Sequence, residues 1–310
     1  MIRMEGVVAL VVCAFCWSLG GVFLKHVEVN SFAAAGFRSL FAFITLMIFS
    51  KRFPRVKIFN IDDDERRSKI VNRKATLYLW LGALTYSATM ILFCIANKLT
   101  YSANAVFLQY TFPVWIIIFG PIILKEKNTK IDYIAILGVI VGMLLFFAEN
   151  LFGSNQSADG KFKDTEFLGN ILALISGITF AGTTIFQRKQ TITSPMDNTS
   201  FDSFMLAQLI TAIFGLPFVF FAPNGFPDIK SLVFLILLGV VQMGFANFAY
   251  SLGIKKVPAL SASLITMIEP LMNPVWVLIF VHELPGLWCI LGGVLIIACI
   301  ILREVVNKRK

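Results

Sequence analysis

Two ionisable side chains stand inside long apolar runs, and their positions suggest what chemistry the chain can perform. Glu269 lies about ten residues into the apolar run 259–280, directly before Pro270, and Arg38 lies about seven residues into the run 31–49. A charge in apolar surroundings is costly and usually has a function. Glu269 could exchange a proton, attract a cation, or serve as a structural carboxyl group. Arg38 could bind an anion, pair with an acid, or extend towards the surface as a structural residue.

Uncharged polar and aromatic side chains recur in the other apolar runs. A mostly apolar cavity with a few placed polar groups is the usual form of a small-molecule site. Aromatic faces add cation–π attraction for an ammonium group, although helix packing is the alternative role for each single residue. The residues proposed to contact a small ligand are Trp17, Tyr86, Gln109, Tyr110, Gln242, Asn247, Tyr250, Asn273 and Trp276, with Ser18 and Asn104 as further polar candidates.

The sequence offers no pattern of a catalytic centre or of a metal site. The two histidines, His26 and His282, are isolated, and all five cysteines fall in apolar runs. No G-x-x-x-x-G-K-[ST] loop for nucleotide binding is present. The carboxylates of 62–65 are followed at once by Arg66 and Arg67, so they indicate a solvated loop. We therefore predict no catalytic residue, no metal ligand and no cofactor.

Composition places these residues in a membrane protein. The chain is 57% hydrophobic and 15% charged, against about 25% charged in soluble domains. This excludes a soluble globular fold and also disorder. About 20 residues form one membrane crossing. Ten apolar runs have that character, and they cover 5–24, 31–49, 76–95, 102–122, 131–148, 167–185, 203–221, 231–251, 259–280 and 286–302.

The basic residues indicate how the chain is oriented. Counted between the ten runs, 21 lysines and arginines fall on one side of the membrane and 5 on the other. Basic residues concentrate on the cytoplasmic side, so both termini are predicted to be cytoplasmic. The predicted location is the cell membrane, inner or plasma. The net charge of +9 thus reflects how the chain is oriented in the membrane, and we expect no nucleic-acid partner.

The two halves of the chain resemble each other. Glu126 follows Pro113 by thirteen positions, and Glu283 follows Pro270 by thirteen positions. At a slightly different offset Trp17 aligns with Phe180, Phe23 with Phe186 and Lys25 with Arg188. Five crossings per half is an odd number, so the second half must enter the membrane inverted. We predict an all-α polytopic membrane protein with ten transmembrane helices in two inverted five-helix repeats, 1–150 and 167–310, joined by an outer linker at 151–166.

The matched prolines indicate where such a protein would move. Pro113 and Pro270 each lie about 11 residues into their runs, which corresponds to about 16 Å of helix. Half of a ~30 Å hydrocarbon core is about 15 Å, so both prolines lie near the midplane. A proline inside a helix removes a hydrogen bond and bends the helix. We predict that both prolines kink their helices and act in gating.

The segments Ala96–Glu126 and Gly253–Glu283, with the Trp17-Ser18-Leu19-Gly20, Lys25 and Phe37-Arg38 stretch, resemble the EamA-like family of the drug/metabolite transporter superfamily. The resemblance covers essentially the whole chain in two copies. It implies ten helices in two inverted repeats, a central cavity and transport of small metabolites. Amino acids and related amines are common substrates in this family, usually by export.

The leading hypothesis is a secondary transporter, and not an enzyme, that moves an amino acid, an amine or a related amphiphile by alternating access as a proton-coupled exporter. An importer or exchanger of the S-adenosylmethionine type is the alternative, and a membrane-embedded lipid-modifying enzyme is a distant one. The expected partners are a small-molecule substrate, the lipid bilayer and protons as a candidate coupling ion. The sequence leaves open whether the protein is a monomer or a homodimer.

Overall fold

The computed structural model describes residues 2–20, 23, 26–61, 67–100, 105, 108–126, 128–146, 165–194, 199–221, 226–281 and 287–308. Nearly all of these residues are helical. In chain order the helices are α1 (Ile2–Ser18), α2 (Ser31–Ser50), α3 (Arg73–Leu99), α4 (Phe112–Ile123), α5 (Lys130–Phe146), α6 (Glu166–Thr193), α7 (Thr199–Gly215), α8 (Ile229–Leu237), α9 (Ala246–Lys256), α10 (Ala259–Thr266), α11 (Ile268–Val281) and α12 (Leu287–Lys308). A 3₁₀ turn (Leu216–Phe221) follows α7, and a π-helical segment (Leu238–Phe245) joins α8 to α9.

Five of the described helical stretches are long and apolar enough to cross a membrane. They are Phe32–Ser50, Arg73–Ala96, Phe167–Thr193, Phe201–Phe221 and Ile229–Lys256, and shorter apolar helices cover Met4–Ser18, Phe112–Ile123, Ala259–Met272 and Ile290–Arg303. The prediction of a helical polytopic membrane protein is confirmed. The number of ten crossings and the inverted repeats stay predictions. Several predicted features lie outside the described residues, namely linker positions 151–164, the carboxylates of 62–65, Asn104, His282 and Glu283.

Helix starts follow local capping chemistry. The side chain of Asn72 accepts a hydrogen bond from the Ala75 amide at the start of α3, and that of Asp228 accepts one from the Ser231 amide at the start of α8. These side chains satisfy amide groups that have no partner within the helix. At its other end, α2 stops at Lys51, whose left-handed backbone (φ 52°) turns the chain away.

The segment between α2 and α3 departs from the expectation of a simple solvated loop. It contains a short antiparallel hairpin of β1 (Phe59–Ile61) and β2 (Arg67–Val71), with Phe59 opposite Val71. The chain before the hairpin is fixed to α3, because the Trp80 indole N–H donates to the Val56 carbonyl over 3.0 Å. An otherwise all-α prediction therefore needs this small correction.

Small residues allow several helices to approach closely. An ideal Cβ atom on Gly36 of α2 would lie 2.5 Å from the Leu216 amide nitrogen, directly after α7. A Cβ atom on Gly138 of α5 would lie 2.3 Å from the Cys299 sulfur of α12. The small-x-x-x-small pattern of Gly138 and Gly142 therefore serves packing inside one chain.

The core consists of two large apolar clusters that share one side chain. One cluster holds Trp17, Tyr86 and Tyr250, and the other holds Tyr110 and Phe112. Phe180, near the middle of α6, packs against both clusters. The middle of α6 thus lies where the two clusters meet.

The contacts between helix ends define two faces of the bundle. At the N-terminal face, Glu5 near the start of α1 pairs with Lys256 at the end of α9, and Arg52 after α2 pairs with Asp202 near the start of α7. At the opposite face, the Leu99 carbonyl at the end of α3 accepts a hydrogen bond from the Thr165 hydroxyl before α6. The first set of contacts marks the N-terminal face of the bundle, and the second marks the opposite face.

Candidate functional site

Two helix interruptions lie at matched positions in the two halves of the chain. The chain turns at Tyr110 and Thr111 before α4 begins, and it turns at Met267 before α11 begins. Pro113 and Pro270 each follow three residues after the turn residues Tyr110 and Met267. The first-turn amides of a helix have no partner in that helix, so a proline there removes no hydrogen bond.

The interruptions are short, and Thr111 and Met267 keep a right-handed helical backbone, so the predicted kinks and their part in gating stay predictions. Each proline stands in the first turn of the helix that follows an interruption, because the interruption removes the clash that a proline would cause inside a continuous helix. The result is two interrupted helices near the middle of the bundle. Interrupted helices expose backbone groups where a ligand can reach them.

Glu269 lies beside both interruptions. It is the second residue of α11, and its carboxyl group lies close enough to the Tyr110 hydroxyl at the other interruption for the two groups to interact. Cys13 of α1 and Arg38 of α2 are close enough to interact with it electrostatically. The structure thus brings three of the predicted residues, Tyr110, Glu269 and Arg38, into one neighbourhood.

An aromatic group lines the adjoining part of the core. The Trp17 ring stacks on the Tyr250 ring with a centroid distance of 5.5 Å, and it lies 5.9 Å from the Phe180 ring. The Tyr250 hydroxyl is 2.9 Å from the Thr184 hydroxyl of α6. These contacts connect α1, α6 and α9 at the level of the candidate site.

A second polar contact joins α3 to α9. The Tyr86 hydroxyl donates to the Asn247 side-chain oxygen over 3.2 Å and also approaches the Met243 sulfur at 3.9 Å. Tyr86 and Asn247 are almost completely buried. The hydroxyl group therefore fixes which way the Asn247 amide group points.

Gln242 lies in the π-helical segment between α8 and α9. Its side-chain nitrogen is 3.5 Å from the Trp17 carbonyl oxygen, and a Cβ atom on Gly20 would lie 3.0 Å from that nitrogen. π-helical turns are rare and occur often at functional sites, because the extra residue shifts the side chains that follow. Here the irregular turn carries Gln242 and directly precedes Asn247.

Arg38 points into the bundle. One of its terminal nitrogens donates to the Met90 sulfur of α3 over 3.6 Å. This contact lies within the protein and differs from an extension towards the lipid headgroups, which was the alternative for this residue.

Four buried polar atoms of these residues have no hydrogen-bond partner among the described residues. Three are donors and one is an acceptor, and they are Trp17 Nε1, Arg38 Nε, Asn247 Nδ2 and Gln242 Oε1. Buried polar groups in proteins are almost always paired, so each exception needs an explanation. A polar ligand that accepts from the three donors would provide one.

The remaining predicted residues are placed elsewhere or are not described. The Trp276 indole donates to the Ser18 hydroxyl over 2.8 Å, and its ring lies edge-on to Phe15. The Gln109 carbonyl packs against Gly177 of α6, which ties it to that helix by its backbone. The side chain of Asn273 lies outside the described residues.

Sequence reasoning missed Phe180, Thr184 and Cys13 as neighbours of this site. Phe180 had a usable signal, because it aligns with Trp17 in the internal repeat. Thr184 and Cys13 had none, since a threonine or cysteine in an apolar helix is ordinarily a packing residue.

A bundle of apolar helices with paired breaks around a buried polar and aromatic site is typical of a membrane transport protein. The chain belongs to the EamA-like transporter family, whose model matches residues 4–148 and 167–303. This confirms the predicted family and the prediction of a transporter over an enzyme. The protein is therefore a multi-pass membrane protein of a transporter family.

Relatives with assigned names support the same class. The chain is 26% identical to human solute carrier family 35 member G1 over 179 residues, which are 57% of this chain and 46% of that protein. It is 26% identical to the mouse protein of the same name over 190 residues, which are 59% and 47% of the two chains. The chain thus matches about half the length of these curated relatives.

A solved crystal structure has the same fold. It superposes with a TM-score of 0.76 over 99% of both chains, at 14% sequence identity. At that identity the likeness concerns the fold alone.

Proposed function

We propose that this transporter is a secondary carrier that moves an amino acid, an amine or a related amphiphile by alternating access, and that it is a proton-coupled exporter. The observation that carries the proposal is the meeting of the two interrupted helices at Tyr110 and Glu269. A carboxyl group at this position can hold either a proton or the ammonium group of a substrate. If Glu269 holds either a proton or the substrate, but not both at once, proton movement and substrate movement across the membrane are coupled.

The pattern of helix contacts supports two inverted repeats, 1–150 and 167–310. In such a fold the first and sixth crossings are equivalent, as are the third and eighth. The sixth crossing, α6, packs along the third, α3. The first crossing, α1, packs along α9, which belongs to the eighth. These two contacts are equivalent under the repeat.

Pairs of residues in these helix contacts are also equivalent under the repeat. The Thr183 hydroxyl is 3.1 Å from that of Thr85, and the predicted equivalents of this pair, Gly20 and Gln242, also lie together. Pseudo-symmetric contacts of this kind give two similar packings, one open to each side of the membrane.

The buried groups favour a ligand with both signs of charge. Arg38, Asn247 and Trp17 offer donors to a carboxylate, and Glu269 offers a carboxylate to an ammonium group. The stacked rings of Trp17 and Tyr250 supply an apolar wall for the rest of the molecule. A zwitterionic metabolite would pair with all of these groups.

An importer or exchanger of the S-adenosylmethionine type is the second candidate. Its sulfonium cation would also pair with Glu269, and a broad planar ring would suit the Trp17–Tyr250 wall. We further propose that the protein resides in the cell membrane, inner or plasma, with both termini cytoplasmic, in agreement with the concentration of basic residues.

Counterflow in proteoliposomes tests the proposal. Vesicles holding the purified chain are loaded with unlabelled amino acids or S-adenosylmethionine, and uptake of each labelled compound is followed with and without a proton gradient. We expect exchange of one compound, and we expect Glu269→Gln to lose the gradient-driven part while keeping exchange.

Glu28→Gln is the matched control, because Glu28 is an exposed carboxylate at the opposite face. Equal behaviour of the two variants and the parent would make Glu269 a structural residue. If no compound exchanges, the amino-acid and S-adenosylmethionine classes are both wrong, and phosphorylated metabolites become the next class to test.

A further inference from the structure

The ion pairs of the described residues lie at the N-terminal face. Each joins the first segment that matches the family model, 4–148, to the second, 167–303. The pairs are Glu5–Lys256, Arg52–Asp202, Arg55–Asp202, Glu126–Arg188 and Asp132–Arg303. In the described part of the opposite face the two segments meet through neutral contacts, such as the hydrogen bond of 2.7 Å between the Thr100 and Asn170 side chains.

Arg188 contacts two separate parts of the chain. Its Nε donates to the Glu126 carboxylate over 3.1 Å, and its Nη1 donates to the carbonyl oxygens of Ile254 and Lys255 over 3.1 and 3.0 Å. One guanidinium group near the end of α6 thereby holds Glu126, three positions after the end of α4, and the last turn of α9. The planar fork of donors suits this arrangement, which a lysine ammonium group could not reproduce.

The position at the end of α9 adds to the strength of the contact. The last carbonyl groups of a helix have no partner within it and carry a partial negative charge. Arg188 satisfies two of them and neutralises Glu126 at the same time. Next along the chain, Lys256 pairs with Glu5 and so attaches the start of α1 to the same end of α9.

The helices joined in this way are those that carry the candidate site. Trp17 belongs to α1, Tyr110 directly precedes α4, Phe180 belongs to α6, and Tyr250 belongs to α9. At the N-terminal face, Arg188 holds α6, α9 and the segment after α4 together, and the Glu5–Lys256 pair attaches α1 to α9. A path from that face to the site therefore depends on the Arg188 contacts.

We infer that Arg188, Glu126 and the carbonyl groups of Ile254 and Lys255 form a latch that holds the N-terminal face of the bundle closed. The latch regulates access to the candidate site, and its use in a transport cycle rests on the proposed function. Opening breaks three hydrogen bonds of one side chain together. The Thr100–Asn170 hydrogen bond at the opposite face joins neutral groups, so removal of the Arg188 charge should act on the N-terminal face.

Hydrogen–deuterium exchange with mass spectrometry tests the latch without any substrate, because amide exchange reports local opening. The full chain is reconstituted in nanodiscs, and Arg188→Gln is compared with the parent. We expect the last turns of α4 and α9 and the end of α6 to exchange at least about tenfold faster, since hydrogen bonds of charged groups are lost. Lys189→Gln is the control, as it removes the same charge from the next residue.

The variants separate a latch from a general loss of stability. Glu126→Gln keeps the two carbonyl contacts, so we expect faster exchange at the same three sites with a smaller change. This second variant also decides the matter if Arg188→Gln does not fold. The inference is overturned if exchange matches that of Lys189→Gln, or if it rises equally at the opposite face around Thr165–Asn170. A result in this experiment stands whether or not the counterflow assay identifies a substrate.

Discussion

The rings of Trp17 and Phe180 lie 5.9 Å apart, and these two residues align with each other in the internal repeat. In an inverted repeat, equivalent residues meet only where they lie close to the axis that relates the halves. The Trp17–Phe180 contact therefore locates that proposed axis. Phe180 also lies 4.7 Å from the ring of Phe112 and 6.4 Å from that of Tyr86, so several helices meet at this side chain.

We predict that Phe180→Ala lowers the free energy of unfolding by about 3–5 kcal/mol, because it opens a cavity where the two apolar clusters meet. Trp17→Ala should cost a similar amount, and the double variant should cost less than the sum by about 0.5–1.5 kcal/mol, the coupling of an aromatic pair. Unfolding in mixed micelles measures all three. Phe167→Ala, at a side chain that is 79% exposed, is the control. Strict additivity would show that the two rings do not stabilise each other.

The helical architecture was predictable because it rests on composition and on the length of apolar runs. The pairing of prolines was also visible, because Pro113 and Pro270 share a spacing to the following glutamate. The extent of each interruption was not, since a slight bend and a wider interruption of a helix leave the same sequence pattern. Which of the two forms depends on whether the freed backbone groups find partners in the packed bundle.

The candidate site was predictable in part, for a similar reason. A buried charge or amide in an apolar run is unusual, so Glu269, Gln242 and Asn247 were identifiable by type alone. Their partners depend on how helices far apart in the chain pack together, as in the pair of Tyr86 and Asn247, which are 161 positions apart. The hairpin before α3 gave no signal, because its short strands lie in a charged segment.

The close approach of α2 and α7 should depend on Gly36. A methyl group there would lie 2.5–3.1 Å from backbone atoms of Gly215 and Leu216, which cannot move without separating the helices. We expect Gly36→Ala to cost about 1–3 kcal/mol of stability, the usual effect of overpacking. At Gly120, a Cβ atom would lie 3.8 Å from the Ile116 side chain, so Gly120→Ala should be neutral or slightly stabilising. Thermal unfolding midpoints compare the two, and equal midpoints would contradict the close contact.

Asp202 should be important for stability at the N-terminal face. It is fully buried, its two oxygens accept from Arg52 over 2.6 and 3.0 Å, and the Arg55 amide donates to it over 3.1 Å. Removing the carboxylate leaves the partly exposed Arg52 and the Arg55 amide without their acceptor, so Asp202→Asn should cost about 1–3 kcal/mol. Thermal unfolding in detergent is the measurement, with the exposed Glu28→Gln as control. Equal unfolding midpoints for Asp202→Asn and Glu28→Gln would show that the Asp202 contacts add little to stability.

The Tyr86 hydroxyl should matter for the substrate more than for the fold. It donates to the Asn247 oxygen and so directs the unpartnered Asn247 amide nitrogen, which is proposed to contact the ligand. Without that hydrogen bond the amide can rotate, and a net hydrogen bond of about 1 kcal/mol corresponds to roughly a fivefold change in binding. We therefore expect Tyr86→Phe to raise the substrate concentration for half-maximal counterflow several-fold, with a similar maximal rate. Tyr78→Phe is the matched control, since Tyr78 stands two turns earlier on α3 and stacks on Phe186. Equal half-maximal concentrations in the two variants would assign Tyr86 to packing alone, and a fall in the maximal rate alone would place it in the opening of the bundle.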